Sequence, residues 1–261
     1  MDLGIKGKTA LVLGASQGLG EAIARKLAEE GADLVLAARN EEALQAIARD
    51  VTSAHGTKAA AVSVDLSDPA EVAAFAARVR GEFQPDMLVA NAGGPPPSVS
   101  TGVAPEIWQK SAQTLLFSII QVIEAAVDPM KARGWGRILA IGSSGVIQPI
   151  PNLAVSNTIR GAVAGFCKTL SAEVAGSGIT VNMILPGKID TARVGQLDSA
   201  RAGREGKTLE QVRAEIAASL PVQRYGKPEE FASVAAFLLS GPAGYVTGQM
   251  TRVDGGMIRS I

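Results

Sequence analysis

Apolar residues recur along this chain in two rhythms. Short β-rich, strand-like runs occupy Thr9–Leu13, Leu34–Ala37, Ala60–Val64, Met87–Ala90, Ile138–Ile141, Thr180–Leu185 and Met250–Val253. Most lack a two-residue alternation, as strands buried on both faces do. Between them the apolar positions fall three and four apart. Leu19, Ile23 and Leu27 make one helical stripe, closed by Gly31 as a C-terminal cap, and Leu44, Ile47 and Val51 make the next. Asp68, Pro69 and Glu71 read as cap, first-turn proline and capping-box partner of a helix that buries Val72, Phe75 and Val79. Further helices are expected over Glu106–Lys131, Ser156–Ala175, Thr208–Ala218 and Glu229–Leu239. Strand and helix in such alternation predict a single α/β domain over residues 1–261, a Rossmann-type doubly wound parallel sheet of about seven strands with helices on both faces. The polar, glycine-bearing segment Arg193–Lys207 reads as a loop, either a solvated one or a substrate lid within 190–220. The lid is favoured, because it leaves the carboxyl end of a strand, where ligands of this fold bind.

Composition narrows the chemistry. Of 261 residues 47% are hydrophobic and 19% charged, which suits a large aliphatic core and not a disordered chain. Lys+Arg and Asp+Glu balance at 25 each, so no bulk field favours nucleic acid or an anionic membrane. The single cysteine, Cys167, permits no internal disulfide and is expected to be buried packing. The single histidine, His55, falls in a turn at the amino end of the sheet, which argues against a zinc site or a histidine-based triad. The apolar stretch Leu115–Val127 is interrupted by Ser118, Gln121 and Glu124 and is too short to span a bilayer; Lys6 and Lys8 with Thr9–Leu13 do not make a signal peptide. A soluble cytoplasmic protein without metal, nucleic-acid or membrane partners is the expectation.

Candidate chemistry gathers at strand ends. Gly14-Ala15-Ser16-Gln17-Gly18-Leu19-Gly20 follows the first strand and opens the first helix, where glycines admit a pyrophosphate to the helix N-terminus. The spacing is G-x-x-x-G-x-G, not G-x-G-x-x-G. The second strand ends in Ala38-Arg39-Asn40 with no carboxylate for an adenosine ribose; Arg39 suits a 2′-phosphate, which argues for NADP over NAD. Asp65-Leu66, Asn91-Ala92-Gly93 and Pro186-Gly187 end the third, fourth and sixth strands.

With Ser143, Thr191, Tyr245-Val246-Thr247-Gly248-Gln249 and Asp254-Gly255-Gly256, these motifs resemble the short-chain dehydrogenase/reductase family over nearly the whole chain, most of all its branch around 3-oxoacyl-(acyl carrier protein) reductase. The resemblance implies NADPH, with Ser16, Gln17 and Arg39 at the adenosine phosphate, Asp65 and Leu66 at the adenine, Asn91, Ala92 and Gly93 by the ribose, and Ile189 and Thr191 at the nicotinamide. It also implies self-association, as dimer or tetramer, through the helices Glu106–Lys131 and Ser156–Ala175. There Gly161, Ala162, Ala164 and Gly165 suit close helix approach or, equally, packing on the sheet.

The family's catalytic serine, tyrosine, lysine and asparagine are matched only by Ser143. Ser156 stands at the tyrosine position, Arg160 at the lysine and, in the register set by Trp108, Leu115 at the asparagine. No slip in register supplies a phenol, since the only tyrosines are Tyr225 and Tyr245. A serine is a far weaker acid than a phenol and arginine effectively never deprotonates, so the usual relay cannot run. Ser156 is read as a helix cap. Arg160, Lys188 and Arg193 are read as a cationic pocket for an anionic substrate group or a developing oxyanion, with Lys188 the local replacement acid or else a cation facing cofactor phosphate or solvent. The function expected is an NADP-dependent oxidoreductase acting on a carbonyl/alcohol pair of a small-molecule substrate with a divergent proton donor. The alternatives are a cofactor-binding sensor or scaffold without turnover, and an NADP-assisted lyase or isomerase.

Overall fold

The computed structural model describes residues 1–260. Seven strands, β1 (Thr9–Leu13), β2 (Asp33–Ala38), β3 (Ala59–Ser63), β4 (Met87–Ala90), β5 (Gly136–Ile141), β6 (Ile179–Pro186) and β7 (Met250–Val253), form one parallel sheet in the order β3-β2-β1-β4-β5-β6-β7. Nine helices accompany them among the described residues: α1 (Gly18–Glu29), α2 (Glu41–His55), α3 (Pro69–Arg78), α4 (Pro105–Ala112), α5 (Ser118–Arg133), α6 (Ala154–Val174), α7 (Ala192–Glu205), α8 (Leu209–Ser219) and α9 (Pro228–Leu238). Ile23, Leu44 and Phe231, from α1, α2 and α9, pack into the core on one face of the sheet. Phe75, Val122 and Val163, from α3, α5 and α6, pack into the core on the other. The inner strands are buried along their whole length, which is why their sequences read as continuous apolar runs.

The strand order reverses between β1 and β4. A crevice must open beyond their carboxyl ends, and every strand-end motif faces it. Local signals act as their chemistry dictates. Gly31, at φ +84°, donates to Ala28 O after α1, and Asp68 caps α3 through the Ala70 and Glu71 amides. Glu71 departs from its expected role: its carboxylate accepts from the Asp65 amide and ties the end of β3 to α3.

Three expectations are corrected. The helix expected over Glu106–Lys131 is divided into α4 and α5 by a π turn, Gln113–Phe117. There Gln113 Nε2 donates to Ser118 Oγ and the buried Ser118 donates to Leu66 O at 2.7 Å, so a residue that broke the apolar pattern anchors the loop after β3. Arg193–Lys207 is not a loop but α7 and the turn that follows it, started by Thr191 Oγ1 accepting from Val194 N and stopped by Gly206 at φ +64°. Ser156 is not a cap: α6 begins two residues earlier, and Ser98 of the β4 loop serves its N-terminus by accepting from Val155 N at 3.4 Å. Gly161, Ala162 and Gly165 are exposed, and the two glycines have open space at their Cβ positions, so they do not pack on the sheet. No described helix is long and apolar enough to cross a membrane.

Candidate functional site

The left bank of the crevice is set by backbone approach. Gly14 and Gly18 adopt φ +63° and +62°. A Cβ on Gly20 would overlap the carbonyl oxygen of Gly14, and one on Gly14 would meet Asn91 Nδ2 at 2.6 Å. The first turn of α1 therefore lies directly against the β1 turn, and Asn91 closes the gap from β4 by donating to Gly14 O at 3.5 Å. Gln17 is the N-cap of α1 and makes no side-chain cap bond. This cradle, which leaves the amides of 16–20 free of side-chain caps, fits the pyrophosphate of a dinucleotide. Leu19, partly buried, packs on the core beneath it, and Ser16 is half-buried in the turn.

At the adenosine end Arg39 is exposed past β2. Asn40 caps α2 by accepting from Ala43 N at 3.1 Å. Asp65 accepts from the Ser67 amide at 2.8 Å; that bond, with the charge of nearby Arg39, holds its carboxyl below the ordinary range. Arg39 and Asp65 thus face each other across the ends of β2 and β3. Opposite them, Gly187 has no room for a Cβ because Asp254 Cα would lie 2.5 Å away, and Thr191 sits 3.8 Å from where a Cβ of Gly18 would be. Pro186, Gly187, Ile189 and Thr191 therefore line the far bank, with Ile189 buried.

The right bank holds the expected catalytic positions. Ser143 follows β5 and accepts from Gly145 N at 3.1 Å, opening a tight turn. Asn157 fixes this turn: its amide donates to Ile150 O at 2.9 Å, its Oδ1 accepts from Ile150 N, and it stands where a Cβ of Gly145 would go. Sequence reasoning missed Asn157; its sole signal was adjacency to Ser156. Ser156 lies buried in the first turn of α6. Arg160, one turn later, donates to Ile141 O at 2.7 Å and Ala92 O at 3.2 Å, strapping the ends of β5 and β4 together. Burial first, and the charge of Arg193 second, lower its pKa to about 10, which leaves it cationic at neutral pH. Leu115 fills the π turn beside it, and a void of about 10 Å³ among Ala90, Ala92, Leu115, Ile141 and Arg160 holds one water at most.

The expected cationic trio divides. Arg193 Nη2 donates to Pro95 O at 2.9 Å, so it and Arg160 converge on Ala92–Pro95. Lys188 instead lies 3.6 Å from Asp198 of α7, a fully buried carboxylate that also accepts from Tyr225 Oη at 2.9 Å. Burial and that hydrogen bond raise the Tyr225 pKa, which removes it as a replacement acid. Arg213 of α8 pairs with Asp190 at 2.9 Å and stacks on the Tyr225 ring at 4.3 Å. The excursion from Ile189 to Gly226 is closed at its neck by Asp190 N to Gly226 O and Gly226 N to Lys188 O. Asp198 was legible only once α7 was seen, for Val194, Asp198 and Ala202 lie four apart on its inner face.

His55 ends α2, exposed, and buried Cys167 has its thiol pushed up to about 12 by desolvation. A cavity of about 400 Å³ lies between α6 and β7, lined by Cys167, Lys168, Met250 and Arg252 among others, and Met183 separates it from the void beside Arg160.

The family model described as enoyl-(acyl carrier protein) reductase matches residues 14–258. The chain is 36% identical over 258 residues, 98% of its length and 99% of the relative's, to the 3-oxoacyl-(acyl-carrier-protein) reductase FabG of Escherichia coli K12. Among solved structures it is similar to the L-sorbose reductase of Gluconobacter frateurii complexed with NADPH and L-sorbose, at 35% identity, TM-score 0.94 and full coverage of both chains. It is also similar to YwfH, described as an NADPH-dependent reductase involved in bacilysin biosynthesis, at 31% identity and TM-score 0.93, covering 98% of this chain and 100% of that one.

Proposed function

Because the chain belongs to the short-chain dehydrogenase/reductase family, we propose that it is an NADPH-dependent carbonyl reductase, similar in reaction to the 3-oxoacyl reductases, that works without a tyrosine acid. One observation supports this above the others: the glycine cradle is complete to the point where no Cβ fits at Gly20, while Arg160 occupies the lysine position as a fixed charge bonded to Ile141 O and Ala92 O. Arg39, in place of a ribose-binding carboxylate, favours NADP over NAD. When bound, NADPH supplies the hydride to the carbonyl carbon.

The Ser143 hydroxyl already accepts from the Gly145 amide, so its proton is free to be donated. It holds the carbonyl oxygen by a donated hydrogen bond, and solvent water protonates the alkoxide as charge develops there. Arg160 stabilises that charge from the strand ends without giving up a proton. Lys188, engaged by Asp198, holds the lid and takes no part in proton transfer. The exposed small-residue face of α6 suits a homo-oligomeric assembly.

The test is single-turnover oxidation of NADPH prebound to the protein, challenged with oxo acids, oxoacyl thioesters and neutral ketones. Oxidation is expected with at least one class, and Ser143→Ala slows it about 100-fold or more, the scale of a lost hydrogen-bond donor to a developing oxyanion. NADPH bound tightly but never oxidised by any member of the panel would overturn the reading.

A further inference from the structure

Two cations lie on one short stretch of main chain. Arg160, from α6, donates to Ala92 O, and Arg193, from the first turn of α7, donates to Pro95 O three residues on. The Arg193 guanidinium lies 3.7 Å from where a Cβ of Gly94 would stand. Among the described residues both guanidinium groups are anchored by main-chain carbonyls, Arg160 through both terminal nitrogens and Arg193 through one, and neither takes part in an ion pair; the buried acid on this bank, Asp198, is engaged by Lys188 and Tyr225. The placement opposes ordinary electrostatics. Like charges are brought together where Arg193 already depresses the pKa of Arg160, and Arg193 stands at the positive end of a 14-residue helix that has no acidic residue in its first turn. Such a cluster costs stability in isolation and is relieved when an anion enters it. It lies at the carboxyl ends of β4 and β5, with Thr191, two residues before Arg193, against Gly18 of the glycine cradle.

We propose that the substrate is an oxo acid whose carboxylate is bracketed by Arg160 and Arg193, with Arg193 as the residue that sets specificity. The proposal rests on the reductase reading for what happens to the carbonyl, and on geometry alone for the anion. Arg160 is fixed by two strand-end carbonyls and is a preorganised charge. Arg193 is exposed, rides on the lid and reaches across to the β4 loop, so carboxylate binding would draw α7 and the Ala92–Pro95 loop together over the substrate. Matching a carboxylate with a planar fork of donors on each side also explains why arginine serves here where a lysine would offer a point charge.

The same cations would suit a second anion, the cofactor pyrophosphate, and the experiment separates the two. Binding of acetoacetate and benzoylformate, each against its methyl ester, is measured calorimetrically on the NADP⁺-loaded protein at low salt, for wild type, Arg193→Ala and Arg193→Lys. NADPH affinity is measured in parallel. In wild type at least one acid binds tenfold or more tighter than its ester. Arg193→Ala reduces that preference below threefold, Arg193→Lys restores part of it, and NADPH affinity changes less than threefold in either variant. Acids and esters bound alike by wild type, or a preference that survives Arg193→Ala, would overturn the proposal. So would a loss confined to NADPH, which assigns the guanidinium to the pyrophosphate. Because the readout is binding, an acid preference without NADPH oxidation would sink the reductase reading and leave the anion site standing.

Discussion

The two banks of the crevice are built differently. On the β1–β4 bank the geometry resides in the backbone: Gly14 and Gly18 at positive φ, and Gly20 against the Gly14 carbonyl. On the β5–β6 bank it resides in exchangeable side chains. Val155, Ile159, Val163 and Cys167 form the buried stripe of α6, and they hold the helix on the sheet whatever stands at 156 and 160 on the neighbouring face. A backbone cradle admits few substitutions without collapse. A helix face can lose a phenol and an ammonium and keep its course. That difference explains how a chain keeps the glycine cradle while Ser156 and Arg160 stand at the family's tyrosine and lysine positions.

The sharpest way to break the contrast is Gly20→Ala. Its methyl has no free path past the Gly14 carbonyl, so the first turn of α1 must move away from the β1 turn. NADPH affinity is expected to fall 100-fold or more, with a stability loss of about 1–3 kcal/mol from overpacking, read by fluorescence titration and urea unfolding. An alanine variant that binds NADPH normally would show that the left bank is as tolerant as the right. The next effect belongs to Arg160→Met, which keeps the stem and removes the strap. Leaving Ile141 O and Ala92 O without a donor costs about 2–4 kcal/mol in urea unfolding, and NADPH affinity changes little by comparison. Equal losses in affinity and stability would mean that Arg160 belongs to the cofactor bank.

The same division governs what the sequence disclosed. The inner strands are legible because burial on both faces writes itself as apolar runs, the partly exposed edge strands β3 and β7 from their β-rich composition, and the glycine cradle because only glycine meets its steric demand. The π turn at Gln113–Phe117 was hidden, since Leu115 keeps the apolar rhythm and the bond that holds the turn reaches Leu66 from a distant strand. The α6 cap was misread because its acceptor, the Ser98 hydroxyl, arrives from the β4 loop, 57 residues away from Val155. In α7 the polar outer face masked an inner stripe whose central member is the acid Asp198, a residue type that pattern reading assigns to solvent. Lys188 was placed beside the nicotinamide by position in the chain alone; a buried carboxylate 10 residues on redirects it.

The smallest effect sharpens the reading of the α7–α8 excursion, the proposed lid. Tyr225→Phe removes one hydroxyl from the Asp198 carboxylate and leaves the ring under Arg213, so the neck at Ile189–Gly226 should keep its backbone bonds. The expected cost at neutral pH is about 1 kcal/mol, at the lower end for a bond to a charged acceptor because Tyr225 is only partly buried, and it is read as faster hydrogen exchange in α7. The pH dependence follows from the raised phenol pKa. Below the ordinary tyrosine value of about 10 the phenol is neutral whether the lid is packed or open, and its contribution is complete. Above that value the open form ionises first, so lid stability falls with rising pH until the packed phenol ionises too. Lys188, which also contacts Asp198, is present in both proteins, so the difference between their profiles isolates the tyrosine. Wild-type α7 protection should decline more steeply than that of the phenylalanine variant above about pH 10. Parallel profiles would show that the Arg213–Asp190 pair and the neck bonds hold the lid without help from Tyr225, and that the right bank depends on side-chain chemistry less than its hydrogen bonds imply.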